Sequence, residues 1–167
     1  RVVRGAAEAV VDQLTPRDLV GVTNGTNGTV VFPLTTLSDK AKVKQQIESM
    51  ILGDPPSYIP DLTAADAQLV QTKAAIKHII MLGDGDATVG DYRSVIETIH
   101  RHHITVSTVA IGSDAGGPAL MQAIAGWGDG RLYESNRVQD VPQIYLTETR
   151  ESLQRMSVQG VHNTRRP

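Results

Sequence analysis

The sequence predicts an α/β fold of the doubly wound class: a mostly parallel sheet with helices on both faces and one antiparallel edge strand. Two observations carry that expectation. Short apolar runs of strand length alternate with amphipathic stretches of helical period, and the main runs end in turn-forming clusters, Asn24-Gly-Thr-Asn-Gly-Thr29 and Gly83-Asp-Gly-Asp86. A chain of 167 residues, 40% hydrophobic and 20% charged, is long enough to bury one core and too apolar for disorder. One domain over residues 1–158 is expected, followed by a loose tail over 159–167.

Val3, Ala6, Ala7, Val10, Val11 and Leu14 share one helical face, opposite Arg4, Glu8 and Asp12. That helix stops at Thr15-Pro16, because proline disfavours helical geometry in the residue before it. Asp18 to Thr23 reads as a buried strand and Val30 to Leu34 as its hairpin partner, with Pro33 placing the second strand at an edge because proline cannot donate a ladder hydrogen bond. Ser38 is the expected N-cap of a helix whose stripe is Val43, Ile47, Met50 and Ile51. A proline-rich loop over 53–60 leads to a helix opening near Leu62, with Thr63 and Asp66 in capping-box spacing and Ala64, Ala67, Leu69 and Ala74 turned inward.

Lys77-His-Ile-Ile-Met-Leu82 is the most apolar short run and is expected to be a central strand. Tyr92, Val95, Ile96 and Ile99 mark the next helix, and Thr105 to Ile111 the next strand. Leu120, Ile124 and Trp127 mark a short helix behind Pro118, with Trp127 read as a core residue. Arg131 to Glu134 is a last short strand, and Val141, Ile144, Tyr145, Glu148 and Leu153 sketch a closing helix.

Composition excludes several function classes. Zero cysteines rule out a disulfide scaffold, a thiolate zinc site and a cysteine nucleophile, while leaving the compartment open. A net charge of -2 with interspersed signs offers no basic stripe for nucleic acid. No apolar stretch approaches the roughly 20 residues of a membrane-spanning helix, and the opening Arg-Val-Val-Arg-Gly is not a signal peptide. Nucleophile elbow, P-loop and dinucleotide fingerprint are all absent, and no carboxylate pair is spaced for acid and base roles.

In a doubly wound sheet, ligands bind at the carboxyl ends of the strands. Asp84 and Asp86, which end the Ile79 to Leu82 strand, are therefore candidates for a cation or polar ligand, against the plainer reading of a capped turn. The loop from Asp54 to Asp61 reaches the same edge, and Ser57, Tyr58 and Asp61 can meet a partner's side chain there, unless its prolines only stiffen it. His100, His102 and His103 lie at a helix end. A zinc site needs further ligands with diagnostic spacing, so these histidines read as solvent-exposed complements of the helix dipole. The two Asn-Gly-Thr sequons are accounted for by hairpin chemistry.

The chain resembles a von Willebrand factor type A domain over nearly its whole length. Four stretches carry the resemblance: residues 6–22 with Pro16-Arg-Asp-Leu-Val-Gly-Val22; the strand Val30 to Thr35 with the Ser-Asp-Lys helix start; His78 to Leu82 with Gly83-Asp84-Gly85; and Ile104-Thr-Val-Ser-Thr-Val-Ala-Ile-Gly112. Gly130-Arg-Leu-Tyr133 resembles the family's final strand. The resemblance implies a metal-ion-dependent adhesion site, in which an Asp-x-Ser-x-Ser motif, a loop threonine and a later aspartate hold a divalent cation.

That pattern is incomplete here. The strand bearing Asp-x-Ser-x-Ser would precede the first helix, inside which the chain opens at Arg1, so the central strand and its ligands are missing from these residues. Pro56 stands where the threonine usually lies, with Ser57 beside it, and Asp84 matches cleanly. Asp84 and Ser57 alone would hold Mg2+ or another divalent cation weakly, since such an ion wants about six oxygens. Val141-Pro-Gln-Ile-Tyr-Leu-Thr-Glu-Thr149 resembles a bacterial subgroup in which a membrane-anchored protein joins this domain to a glutamine-amidotransferase-like domain. That would place it on the extracytoplasmic side of a membrane.

The function expected is a non-enzymatic module that binds a protein partner through Asp54, Ser57, Tyr58, Asp61, Asp84 and Asp86, with a degenerate cation site. Two rivals stand beside it. One is a Mg-dependent nucleotide- or phosphate-binding enzyme using Asp84 and Asp86, which lacks a phosphate cradle. The other is an assembly domain, possible as a homodimer, that pairs through an exposed sheet edge.

Overall fold

The computed structural model describes residues 8, 11–12, 14–23, 30–49, 56–111, 117–135, 140, 143–144, 147–148 and 150–151, and of residues 31, 32, 111, 117, 118 and 135 the backbone alone. Glu8, Val11 and Asp12 are helical, and Val11 is fully buried as the apolar stripe requires. The chain then turns where Thr15 N and Oγ1 donate to Asp18 Oδ2 at 2.8 and 3.1 Å.

Strands β1 (Leu19–Thr23) and β2 (Val30–Thr36) form an antiparallel pair that is a sheet of its own. Their register slips between Val20 and Val22, opposite Pro33 and Leu34. Pro33 has no N–H to give, and the N–H of Leu34 goes to Gln68 Oε1 at 2.7 Å, so the irregularity is satisfied from outside the ladder.

A 3-10 turn (Leu37–Asp39) leads into α1 (Lys40–Ser49). Ser38 lies inside that turn and does not cap the helix; Asp39 Oδ1 accepts from Lys42 N at 3.0 Å and does the capping instead. Val43 and Ile47 are buried, whereas Met50, Ile51 and the loop residues 51–55 lie outside the described residues. Helix α2 (Ile59–Val70) begins three residues before the expected Leu62. Pro60 sits in its first turn, where a missing N–H costs nothing, and Ser57 Oγ accepts from Ile59 N at 3.2 Å, so Thr63 and Asp66 are interior residues and not a capping box. Leu62 is its buried side chain; Ala67 is exposed, and Ala74 lies beyond the helix and is exposed too.

Strands β3 (His78–Gly83), β4 (Thr105–Ile111) and β5 (Asp129–Ser135) form a parallel sheet in the order β3-β4-β5, with α3 (Tyr92–Arg101) and α4 (Gly117–Trp127) as crossovers. Among the described residues the middle strand of this sheet is β4. Val106 to Ala110 are all buried, while β3 has β4 on one side and no strand on the other among the described residues, and is mostly half-buried. Hydrophobicity marks the run 77–82, but its place in the sheet depends on neighbours that no local pattern encodes.

Alternation along these strands separates two faces. Ile79, Met81, Val106, Ala110 and Leu132 join Leu62, Ile96, Ile99, Met121 and Ile124 in the main core, against which Trp127 packs. Ile80, Leu82, Val109 and Tyr133 face the other way, onto Ile144. A third cluster, Val11, Leu37, Val43 and Ile47 with Leu14, Val20 and Val22, belongs to the β1–β2 sheet.

Candidate functional site

Strand β3 runs out at Gly83, and the next residues build the carboxyl edge of the sheet. Gly85 and Gly90 adopt positive φ of 83° and 120°, so the segment folds back before Asp91 caps α3 by accepting from Ser94 N at 3.2 Å. The returning stretch meets the loop before α2: Ser57 and Thr88 form an isolated antiparallel bridge, and Val89 N donates to Pro56 O at 3.3 Å. The two loops are thereby one rim, with Val89 projecting at 63% exposure.

Two tyrosines tie the rim to the core. Tyr92, 4% exposed, accepts at its hydroxyl from Tyr58 N (2.9 Å) and donates to Ala87 O. Tyr58 donates its hydroxyl to Asp84 Oδ1 at 3.2 Å and accepts from Gly85 N at 3.1 Å. Burial, first, and then the nearby Asp84 push the Tyr58 phenol up to about 12, so it remains a donor at any working pH. Gly83 is required here, since a Cβ would lie 2.5 Å from the Tyr58 hydroxyl oxygen.

Asp84 is exposed and Asp86 N donates to its Oδ1 at 3.2 Å. Burial works to raise this carboxyl, but hydrogen bonding from Asp86 and from the Tyr58 hydroxyl outweighs it, holding the group below the usual carboxylate range. Asp61 is the opposite case. It stands in the first turn of α2, its carbonyl accepting from Thr23 Oγ1 at 3.1 Å, so it marks the carboxyl end of β1. Its Oδ1 is buried with no hydrogen-bond partner among the described residues, and desolvation raises the carboxyl to about 6.

Of the residues singled out from sequence, Ser57, Tyr58, Asp84 and Asp86 come together at one rim, and Asp61 borders it at the start of α2. Asp54 lies outside the described residues. Sequence reasoning missed Tyr92, read only as a core position; a tyrosine on a buried face carries a hydroxyl that needs a partner, and that was the available signal. Of the histidines, His102 pairs Nδ1 with Asp66 Oδ1 at 2.9 Å, while His100 and His103 are exposed at the end of α3.

The described donors do not fit a divalent cation. Asp84 Oδ1 already accepts two hydrogen bonds, and Ser57 Oγ is engaged by Ile59 N and lies 3.4 Å from the Tyr92 hydroxyl, whereas a hard cation wants about six oxygens. Among the described residues, no group of three His, Asp or Glu side chains is positioned to hold a metal.

Comparison with known proteins bears on this edge. The chain is similar in structure to BatB from Bacteroides thetaiotaomicron, with a TM-score of 0.73 at 18% identity over 93% of this chain and 86% of the other. An aerotolerance-related membrane protein from Bacteroides fragilis gives a TM-score of 0.72 at 17% identity over 90% and 87% of the two chains. Proximal thread matrix protein 1 from the mussel byssus, in a form with a zinc-occupied MIDAS motif, gives 0.72 at 16% identity over 87% of this chain and 41% of that one. No curated protein sequence matches. The family model for the von Willebrand factor type A domain matches residues 1–147, taking in both sheets and the whole rim; the chain belongs to that family.

Proposed function

We propose that the domain is a non-enzymatic protein-binding module that engages its partner at the carboxyl edge of the sheet, through Ser57, Tyr58, Asp84 and Asp86 with Asp61 alongside, by direct contacts and without a resident cation. The observation that carries this reading is the Tyr58–Asp84 hydrogen bond at 3.2 Å: the one carboxylate that matches the family's cation ligand is satisfied by a phenol from the neighbouring loop. Fixed by backbone turns and buried tyrosines, the rim presents an exposed aspartate pair and the apolar Val89. The family consists largely of interaction modules, and the likeness to bacterial membrane proteins supports a place on the extracytoplasmic face of a membrane. No described helix is itself long and apolar enough to cross one.

Two measurements test the proposal. Isothermal titration with Mg2+, Mn2+ and Ca2+ is expected to show no micromolar binding; clear binding lost in Asp84→Ala overturns the metal-free reading. A photo-crosslinker placed at Val89 in cells is expected to give a discrete protein adduct that survives chelator, whereas one at His100, at the other end of α3, is not. Adducts at His100 alone would move the interface elsewhere.

A second reading is favoured by the outer edges of β1 and β3, which pair with no strand among the described residues. Such edges template strand addition, and a homodimer through them is its concrete form. Light scattering across protein concentration separates the two readings: a monomer throughout removes the dimer.

A further inference from the structure

The C-terminal helical residues bring a charge to an apolar face. Ile144, Glu148 and Glu151 fall at i, i+4 and i+7, on one side of a helix, and that side lies on the face of the three-stranded sheet opposite the main core. Ile144 packs with Ile80, Leu82, Val109 and Tyr133. One turn on, Glu148 is 4% exposed, and its carboxylate is shared among three adjacent strands. Ser107 of β4 donates to Oε1, Tyr133 of β5 donates to Oε2 at 2.5 Å, and His78 of β3 places Nε2 3.1 Å from Oε1.

The His78 contact is an ion pair only with the imidazole protonated; the other ring nitrogen lies 2.6 Å from Thr105 Oγ1. Farther out, Arg131 of β5 pairs with Glu151 at 3.0 Å. An apolar side chain of similar volume would cover the same patch without desolvating a carboxylate, which makes the glutamate a conditional fastening where an unconditional one was available. The patch it fastens is also small: Val109 is its fully buried member, set apart from the main core, so release here does not demand collapse of the sheet.

We propose that Glu148 is the bolt of a proton-operated latch: ionised, it fastens the C-terminal helical residues across β3, β4 and β5, and neutralised, it frees them from a sheet that stays folded. Among the described residues, the titratable and charged groups that face it are His78 from β3, Tyr133 and Arg131 from β5, and Glu151 from its own helical turn, with Ser107 and Thr105 as the uncharged neighbours. Burial by itself would raise the Glu148 carboxyl, but the His78, Ser107 and Tyr133 side chains outweigh it and hold the group below its ordinary value of 4.5. The fastening is therefore fully present above that value and lost as the pH falls through the lower folded one.

Hydrogen exchange read by mass spectrometry, corrected for the intrinsic pH dependence of exchange, tests the latch on the wild type, Glu148→Gln and Tyr133→Phe. In E148Q at about pH 7 the amides of 143–151 are expected to exchange roughly tenfold faster or more, with Y133F in between, while those of β4 stay within about twofold of the wild type. Lowering the pH of the wild type through the Glu148 titration is expected to move the protection of 143–151 toward the E148Q pattern, and E148Q is expected to lose that pH response. Unchanged protection of 143–151 in E148Q overturns the proposal, and so does acceleration of β4 in step with it, which is global unfolding. Should E148Q fail to fold, Y133F and the wild-type pH series make the same comparison.

Discussion

Asp61 and Asp84 border the same edge and are perturbed in opposite directions because one lacks the donors that the other has. Asp84 is met by the Tyr58 hydroxyl and the Asp86 N–H, which favour the carboxylate; Asp61 has an oxygen buried without a partner, which favours the acid. For Asp61 the folded value of about 6 lies above the ordinary 3.8, so its contribution to stability is fully present below 3.8 and lost as the pH rises through 6. At pH 8 the ionised group is a liability. The shift sets a ceiling of about 3 kcal/mol, which partial solvent access reduces to about 1–2 kcal/mol. Asp61→Asn is accordingly expected to stabilise the domain by about 1–2 kcal/mol in urea unfolding near pH 8 and to change little near pH 4. An equal effect at both values would mean that the carboxyl is not desolvated in the folded state.

At the level of elements, β4 and α3 were legible because each is local: a β-branched run in one case, an apolar stripe at helical spacing in the other. The start of α2 was not, since Pro60 reads equally as the end of a loop or the first turn of a helix, and only Ser57 and the chain's path decide between them. The middle place of β4 among the described parallel strands and the Tyr58–Asp84 contact were illegible for a deeper reason: they join segments 26 residues apart or more, and nothing within either segment announces the other. Asp84 itself could be found, as an aspartate after an apolar strand. The hairpin offers a test of such a remote contact. Leu34 N–H is withdrawn from the ladder by the irregularity at Pro33 and satisfied from α2 by Gln68. Gln68→Ala leaves that donor to water or to nothing, at a cost of about 1–2 kcal/mol, and should speed exchange of the Leu34 amide. A variant with wild-type urea midpoint and unchanged exchange would show that the side chain only decorates the hairpin.

Across the whole molecule the two sheets share no strand among the described residues, and each has its own apolar cluster. They meet chiefly through α2, by way of Thr23–Asp61 and Leu34–Gln68. A two-stranded pair covered by one small cluster is marginal in isolation, whereas the parallel sheet is covered on both faces. The two parts should therefore part company under denaturant. Trp127, the sole tryptophan, packs on the main core with the Arg93 guanidinium 6.0 Å from its ring centroid, so its fluorescence reports the parallel sheet alone. Far-UV circular dichroism reports both. The dichroism midpoint in urea is expected to fall below the fluorescence midpoint, by on the order of 0.5 M, because the β1–β2 half melts first. Superimposable transitions would instead mean that α2 couples the halves into one cooperative unit, in which case the edges of β1 and β3 cannot be treated as independent of one another.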